Sequence, residues 1–398
     1  MASTASPSAG ERVAELDLLR GMAALLMVFN HVGYAALNRQ AAQEGVSGAL
    51  VFLGSMAPVL FFFATGFGGG LAARPGTWRS LADKVLLLLL ADQFLGWTLG
   101  RPLGLDFFGF IAVSMLAARL VLATPRPVTV AALAIIAVLW LRYGVGQNWV
   151  APPGDYGLVQ WLVGATPHHG VSYPASPWLA YPLLGVALGV LHRRHAGRIT
   201  ARVWVVMAVA IVVCAVGAGL LASRGSSFHR WGSVAAAFFA LSVVVLLCGL
   251  AGSVVLTRRA PRVAAALSLG GVASFAVVPW HYAMVRSGAF SAQHGIVFYL
   301  AVACLIAASS FALSNAFERA AAALSRSSHR GWLVVAALVV IVLSGFATFA
   351  LARSGSPAAA QGAATLGQLA IGLLFAWRVG PFDARVPSRP VVPGHSNP

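Results

Sequence analysis

The sequence is poor in charged residues, and poorest in acidic ones. Only 9% of the 398 residues are charged, with ten Asp and Glu in the whole chain, whereas about a quarter of a typical soluble domain is charged. Hydrophobic residues make up 59% of the chain, and the mean hydropathy is +0.83. This composition excludes an ordinary soluble domain and indicates a protein that crosses a membrane several times.

Cysteine is also scarce, with three residues in the chain. Cys214, Cys248 and Cys304 all fall within apolar runs, and they have neither the pattern of a disulfide framework nor that of a metal site. We interpret them as apolar packing residues. The adjacent His168 and His169 also lack metal-binding spacing, so no metal is expected.

Long apolar runs dominate the rest of the chain. They predict an all-α, polytopic integral membrane helical bundle with about eleven or twelve transmembrane helices. The membrane domain is expected over residues 16–377, between a mobile N-terminal tail (1–15) and a Pro-rich C-terminal tail (378–398). The runs lie near 18–36, 50–72, 81–99, 107–123, 128–146, 177–192, 203–222, 232–256, 263–285, 293–314 and 332–352, with a weaker twelfth near 361–377.

The net charge of +17 comes from basic residues scattered between these runs. Because they do not cluster on one segment, they argue against a nucleic-acid partner. If the N-terminus is cytoplasmic and the runs alternate across the membrane, twenty of the 27 basic residues are cytoplasmic. This positive-inside bias predicts a multi-pass protein of the cell inner (cytoplasmic) membrane, surrounded by lipid, with its N-terminus in the cytoplasm.

The first apolar run contains two ionisable side chains, Arg20 and His31. Eleven residues in a helix turn through about three full turns plus 20°, so both side chains share one face, roughly 16 Å apart along the axis. Ionisable groups inside a membrane are costly and usually functional. The alternative is an arginine that extends to the interface and a histidine bonded to a neighbouring helix.

The same run carries a family resemblance. Residues 16–21 (LDLLRG), followed by an apolar stretch that ends in Asn30 and His31, resemble the first helix of the transmembrane acyltransferase superfamily. That superfamily includes the acyltransferase-3 proteins and the heparan-α-glucosaminide N-acetyltransferase-like proteins. The spacing of Arg20 and His31 is similar to the Arg-x10-His signature of the acyltransferase-3 group.

The resemblance implies an acyltransferase that uses acyl-CoA, foremost acetyl-CoA, as its donor substrate and holds no bound cofactor. The implied acceptor is a carbohydrate or glycolipid: a sugar hydroxyl or amine of an envelope glycan or glycoconjugate. Arg20 would bind a CoA phosphate, for which a guanidinium is well suited. His31 would act as general base or carry the acyl group briefly.

Two glycine-containing blocks extend the resemblance. Residues 61–70 (FFFATGFGGG) are similar to the family's FFF-x-SG-F block, with Thr65 in place of the usual serine, and the small residues predict close helix packing. The Thr65 hydroxyl is expected to bond either a backbone carbonyl or the donor. Residues 177–185 resemble the entry of a middle helix, where Gly185 and Gly189 offer a second close-packing face.

Two carboxylates, Asp92 and Asp106, fall within or at the edge of apolar runs. Either one can orient His31 and stabilise its imidazolium, which makes both catalytic candidates. The structural alternatives are a helix N-cap for Asp106 and an ion pair with an arginine such as Arg20 for Asp92.

Residues 147–176 form the longest connection, predicted outside the membrane and rich in aromatic residues. Trp161, His168 and His169 are candidates for binding the sugar acceptor, although aromatic side chains at the membrane interface are an equal alternative. Later in the chain, residues 274–281 resemble a family S-x-x-x-Y-L-x-H helix only loosely. Pro279 and Trp280 replace the usual Tyr-Leu pair, so the match of His281 to the family histidine is weak and His281 is not counted among the candidate site residues.

The sequence therefore predicts a membrane acyltransferase. The main alternative is a multi-span transporter or flippase for a glycolipid or small polar solute, because polar residues and glycine-rich helices suit that class too. Internal repeats typical of such transporters are not apparent, and the Arg-x10-His spacing has no second copy. A non-catalytic membrane partner in envelope assembly is a third possibility.

Overall fold

A computed structural model of the chain describes most of the membrane domain. The described residues are 13–72, 77–100, 104–145, 172–194, 236–272, 274–287, 294–325 and 330–379. The run near 203–222, the loop residues Trp161, His168 and His169, and most of both tails lie outside these ranges.

The described residues are mostly α-helical, with a π-helical turn over Leu141–Val145. The helices are α1 (Ala14–Ala36), α2 (Gly45–Gly54), α3 (Ala57–Leu71), α4 (Trp78–Thr98), α5 (Phe107–Leu122), α6 (Pro127–Trp140), α7 (Ala175–Trp178), α8 (Ala180–Arg194), α9 (Ala236–Arg259), α10 (Pro261–Val272), α11 (Ser274–Arg286), α12 (Ile296–Ser325), α13 (Arg330–Arg353) and α14 (Pro357–Val379).

Eight of the described helical segments are long and apolar enough to cross a membrane, and nine if α10 and α11 count as one broken span. No β-strand occurs in the described ranges. The prediction of an all-α polytopic membrane bundle is therefore confirmed. Of the other predicted spans, α5 has only 16 residues, which is short of the roughly 20 needed to cross a bilayer perpendicularly. Four charged side chains interrupt α4: Arg79, Asp83, Lys84 and Asp92.

Helix α1 lies at the centre of the bundle, where it packs against α2, α3, α9, α10, α11 and α12. Its closest neighbour is α10, because glycines remove the side chains where the two helices meet. A Cβ on Gly21 would overlap the backbone carbonyl of Leu267, and one on Gly271 would overlap that of Asp17. Helix α1, which carries Arg20 and His31, is thus held against α10 by direct backbone contact.

The two glycine blocks noted in the sequence pack against each other. Gly66 and Gly70 of α3 face Gly185 and Gly189 of α8, and a Cβ on any of the four would overlap a backbone carbonyl oxygen of the opposite helix. Close backbone approach of this kind is the usual role of small residues at membrane helix interfaces. The α3–α8 pair therefore forms a rigid wall beside α1.

The two C-terminal helices, α13 and α14, form a hairpin, and α14 packs against α4 and α11. Gly355 ends α13 with a φ of 75°, a conformation that favours glycine, and Pro357 begins α14, as proline commonly does in the first turn of a helix. The weak twelfth run is thus a helix, and its Gln368 donates to the Ala91 carbonyl of α4 at 2.9 Å.

Candidate active site

His31 of α1 meets a second histidine, His281 of α11. The Nδ1 atom of His31 lies 2.7 Å from Nε2 of His281. The other ring nitrogen of His281, Nδ1, lies 2.9 Å from the Val277 carbonyl oxygen of its own helix. His281 is fully buried, so the pair joins two helices inside the bundle. The alternative that His31 bonds a neighbouring helix is thus confirmed, and the bonded group is the titratable side chain of His281.

The remaining nitrogen of His31, Nε2, faces a cavity. It lies 3.5 Å from the hydroxyl of Tyr282, and both side chains line a cavity of about 210 Å³. Helices α1, α5, α7 and α11, the α2–α3 junction and the segment before α7 form its walls. The lining residues are Met27, Asn30, His31, Gly54, Ser55, Ala57, Pro58, Phe107, Ser172, Tyr173, Trp178, Val278 and Tyr282.

The cavity walls combine aromatic faces with hydrogen-bonding groups. The indole Nε1 of Trp178 is buried and has no hydrogen-bond partner within the described ranges, which leaves a donor beside the cavity. Burial raises the pKa of Tyr173 well above its usual range, and the nearby Asp106 adds to this shift. The Tyr173 phenol therefore stays protonated and can donate a hydrogen bond.

Asn30, the residue before His31, is fixed by the neighbouring helix. Its side-chain amide donates to the Val51 carbonyl at 2.8 Å, and the residue lines the cavity. The sequence motif contains Asn30 without indicating its role. Its position one residue from His31 makes it a second polar group at the same wall.

Asp92 and Asp106 come together at the N-terminus of α5. The buried Asp92 carboxylate accepts from the Asp106 backbone N–H at 2.8 Å, and Asp106 caps the helix by accepting from the Phe107 N–H at 2.8 Å. The N-cap interpretation of Asp106 is thus confirmed. The side chain that bonds Nδ1 of His31 is His281, so the catalytic role of these carboxylates stays a prediction.

Arg20 lies on α1, towards its N-terminus from the cavity residues. It forms an ion pair with Asp17, with 3.2 Å between Nη1 of Arg20 and Oδ1 of Asp17. It also borders the glycine-rich end of α3, because a Cβ on Gly68 would lie 3.4 Å from Nη2 of Arg20. The Thr65 hydroxyl donates to the Phe61 carbonyl of its own helix at 2.9 Å. This is the carbonyl bond expected for Thr65, and its donor-binding role stays a prediction.

The acceptor-loop candidates Trp161, His168 and His169 lie outside the described residues. The end of the same connection is described, and it contributes Ser172 and Tyr173 to the cavity wall. The long loop therefore leads directly to the cavity that contains His31.

Sequence reasoning identified His31 but missed the other polar and aromatic side chains around it, among them Tyr173, Trp178, His281 and Tyr282. Trp178 and His281 were visible as parts of family-like blocks, but Pro279 and Trp280 depart from the pattern around His281. A polar residue in an apolar helix was the only other signal for His281.

Residues 12–222 match the family model of the heparan-α-glucosaminide N-acetyltransferase catalytic domain. This segment is more than half of the chain. The chain belongs to this family. Membership in the heparan-α-glucosaminide N-acetyltransferase family confirms the superfamily resemblance and supports an acetyltransferase-type membrane enzyme. No curated protein matches the chain. The family segment includes His31 and Trp178, whereas His281 and Tyr282 lie beyond it.

Proposed function

We propose that the protein transfers an acetyl group from acetyl-CoA to a hydroxyl or amine of a sugar in an envelope glycan or glycoconjugate. The observation that carries this proposal is a histidine nitrogen, Nε2 of His31, at the wall of a cavity lined by aromatic side chains. Family membership supports the type of reaction, and the cavity supports the place where it occurs.

The chemistry requires one base. His31 Nε2 takes the proton of the acceptor hydroxyl or amine while the acceptor oxygen or nitrogen attacks the thioester carbonyl carbon. The carbon–sulfur bond then breaks, and the CoA thiolate leaves with the proton that His31 held. The products are the acylated sugar and CoA thiol, and His31 returns to its neutral form.

The cavity suits a sugar ring better than a nucleotide. Its volume of about 210 Å³ is below the roughly 300–1,000 Å³ typical of drug-sized ligand pockets. The rings of Phe107, Tyr173 and Trp178 line the cavity and offer apolar surface to the C–H groups of a sugar, and the Trp178 N–H, which has no partner in the described part of the chain, can bond its hydroxyls. We therefore assign the acceptor ring and the acyl end of the donor to this cavity, and the nucleotide of CoA to another part of the protein.

The donor is proposed to enter from the cytoplasm beside Arg20. Arg20 and His31 are eleven positions apart in the continuous helix α1, which separates them by roughly 16 Å, a distance that an extended pantetheine arm spans. The absent side chain of Gly68 leaves room next to the guanidinium. Arg20 is then positioned to bind a CoA phosphate while the thioester reaches His31.

Arg20→Lys is expected to weaken acyl-CoA binding although the charge is kept. A lysine ammonium cannot form the two parallel hydrogen bonds of a guanidinium to phosphate. Titration of purified variant and wild-type protein with acyl-CoA measures the change. The control is Arg353→Lys, a residue at the C-terminal end of α13 whose guanidinium lies over the Phe349 ring. Equal donor affinity in Arg20→Lys and wild type would contradict the proposed phosphate contact.

The acceptor is proposed to enter from the opposite side through the connection 147–176. Trp161, His168 and His169 remain the candidates for its first contacts, because the same connection ends in the cavity-lining residues Ser172 and Tyr173. This direction agrees with the positive-inside bias, which favours a cytoplasmic N-terminus and an outer location for this loop.

Acyl-CoA turnover by the purified protein tests the proposed function against a transporter or flippase. Release of free CoA thiol that depends on an added sugar acceptor supports acyl transfer. A protein that binds or moves a glycolipid but cleaves no thioester under any acceptor would contradict it.

A further inference from the structure

We propose that His281 is a positioning residue that holds His31 in the one tautomer whose Nε2 can act as a base. This inference rests on the proposed acyl transfer by His31, and it adds a second residue to that reaction. His281 lies in α11, beyond the segment that matches the family model.

The hydrogen bonds determine where the protons lie. The Val277 carbonyl can only accept, so Nδ1 of His281, at 2.9 Å from it, carries a hydrogen. In a neutral imidazole the other nitrogen is then an acceptor. Nε2 of His281 therefore accepts from Nδ1–H of His31 at 2.7 Å, and Nε2 of His31 is left with a lone pair.

The two rings have the geometry of an in-plane hydrogen bond. Their planes differ by 10°, and their centroids are 5.0 Å apart. The centroids are farther apart than the two nitrogens, which are 2.7 Å apart, by about one ring radius at each end. Both nitrogens therefore lie on the line between the two centroids. The lone pair of His281 therefore points along the N–H of His31 and fixes its ring orientation as well as its tautomer.

His281 is itself held in place by its surroundings. It is fully buried, and α11 packs against α14, where the Thr365 hydroxyl donates to the Gln361 carbonyl of its own helix at 2.8 Å and lies 3.3 Å from the Pro279 carbonyl oxygen of α11. At the far end of α11, Arg286 donates to the Thr98 carbonyl at 2.8 Å. These contacts limit the movement of the ring, so the acceptor for His31 is preorganised.

The pair also supports the charge that appears during transfer. When His31 Nε2 takes the acceptor's proton, the ring becomes an imidazolium, and its Nδ1–H bond to His281 becomes charge-assisted. The proton leaves again with the CoA thiolate, so neither histidine is altered by a complete turnover. Without His281, the ring of His31 can adopt the other tautomer, in which Nε2 carries a hydrogen and cannot accept a proton.

Two substitutions of similar size separate hydrogen bonding from packing. His281→Leu removes the acceptor, and we expect kcat to fall about 10²- to 10⁴-fold, the range for loss of a general base, with little change in KM for acyl-CoA. His281→Gln retains an acceptor oxygen, and we expect it to recover at least about ten-fold of the lost kcat. The matched control is Thr365→Val, which removes the hydroxyl that lies 3.3 Å from the Pro279 carbonyl of α11 and changes neither histidine.

The outcomes separate this inference from the proposed function. A folded His281→Leu protein with native kcat, or equal kcat in His281→Leu and His281→Gln, would overturn the positioning role while leaving acyl transfer by His31 intact. Activity in His31→Ala would instead overturn the proposed function. If Thr365→Val lowers kcat as much as His281→Leu, packing of α11 and not the hydrogen bond explains the loss, and the inference fails.

Discussion

His31→Ala is expected to abolish acyl transfer while the protein still folds and binds acyl-CoA. The substitution removes the ring whose Nε2 faces the cavity and whose Nδ1 bonds the buried His281, whereas the proposed phosphate contact at Arg20 is about three helical turns away. Loss of a general base typically costs about 10²- to 10⁴-fold in rate. If His31 also carries the acyl group, the loss is complete, because no intermediate can form.

The measurement is transfer rate and donor affinity on the same preparation of purified protein. His294→Ala is a suitable control, because this histidine lies two residues before α12, stacks on Phe298 with 3.9 Å between ring centroids, and does not line the cavity. Its removal should leave the rate near that of the wild type. Native transfer by a folded His31→Ala protein would refute the mechanism.

Gly66→Ala is expected to cause the largest loss of stability of any single methyl addition to α3. The new Cβ would overlap the Pro182 carbonyl of α8, and a backbone atom cannot move aside as a flexible side chain can. Overpacking of a close-packed interior commonly costs about 1–3 kcal/mol, and displacement of a whole helix raises this cost. The thermal unfolding midpoint in detergent and the yield of monodisperse protein measure the effect.

Gly69→Ala provides the matched control three residues along the same helix. There the added Cβ would lie 3.7 Å from Leu122 and 3.8 Å from Ala118, which is ordinary van der Waals contact. Because alanine favours a helix over glycine by up to about 1 kcal/mol, this variant should be as stable as the wild type or more so. Equal stability of the two variants would show that α3 and α8 do not approach as closely as described.

The sequence by itself determined the class of protein and the position of one catalytic candidate. Hydropathy is a local property, so an apolar composition and long runs are sufficient to predict a helical membrane bundle. Helical periodicity is local as well, and it placed Arg20 and His31 on one face of α1 before any fold was known. The glycine blocks at residues 61–70 and 185–189 were also recognisable as packing faces, because close approach requires small residues.

Only the tertiary structure decided which faces meet. Nothing local to His31 indicates that its partner lies 250 residues away in α11, or that the two glycine blocks pack against each other. Nor could spacing show that Asp92 reaches the N-terminus of α5, where its carboxylate accepts from a backbone N–H. Each helix offers several faces of similar hydropathy to its neighbours, and the choice among them depends on the packing of all the helices together. The active-site partner is therefore a property of the bundle and not of any one segment.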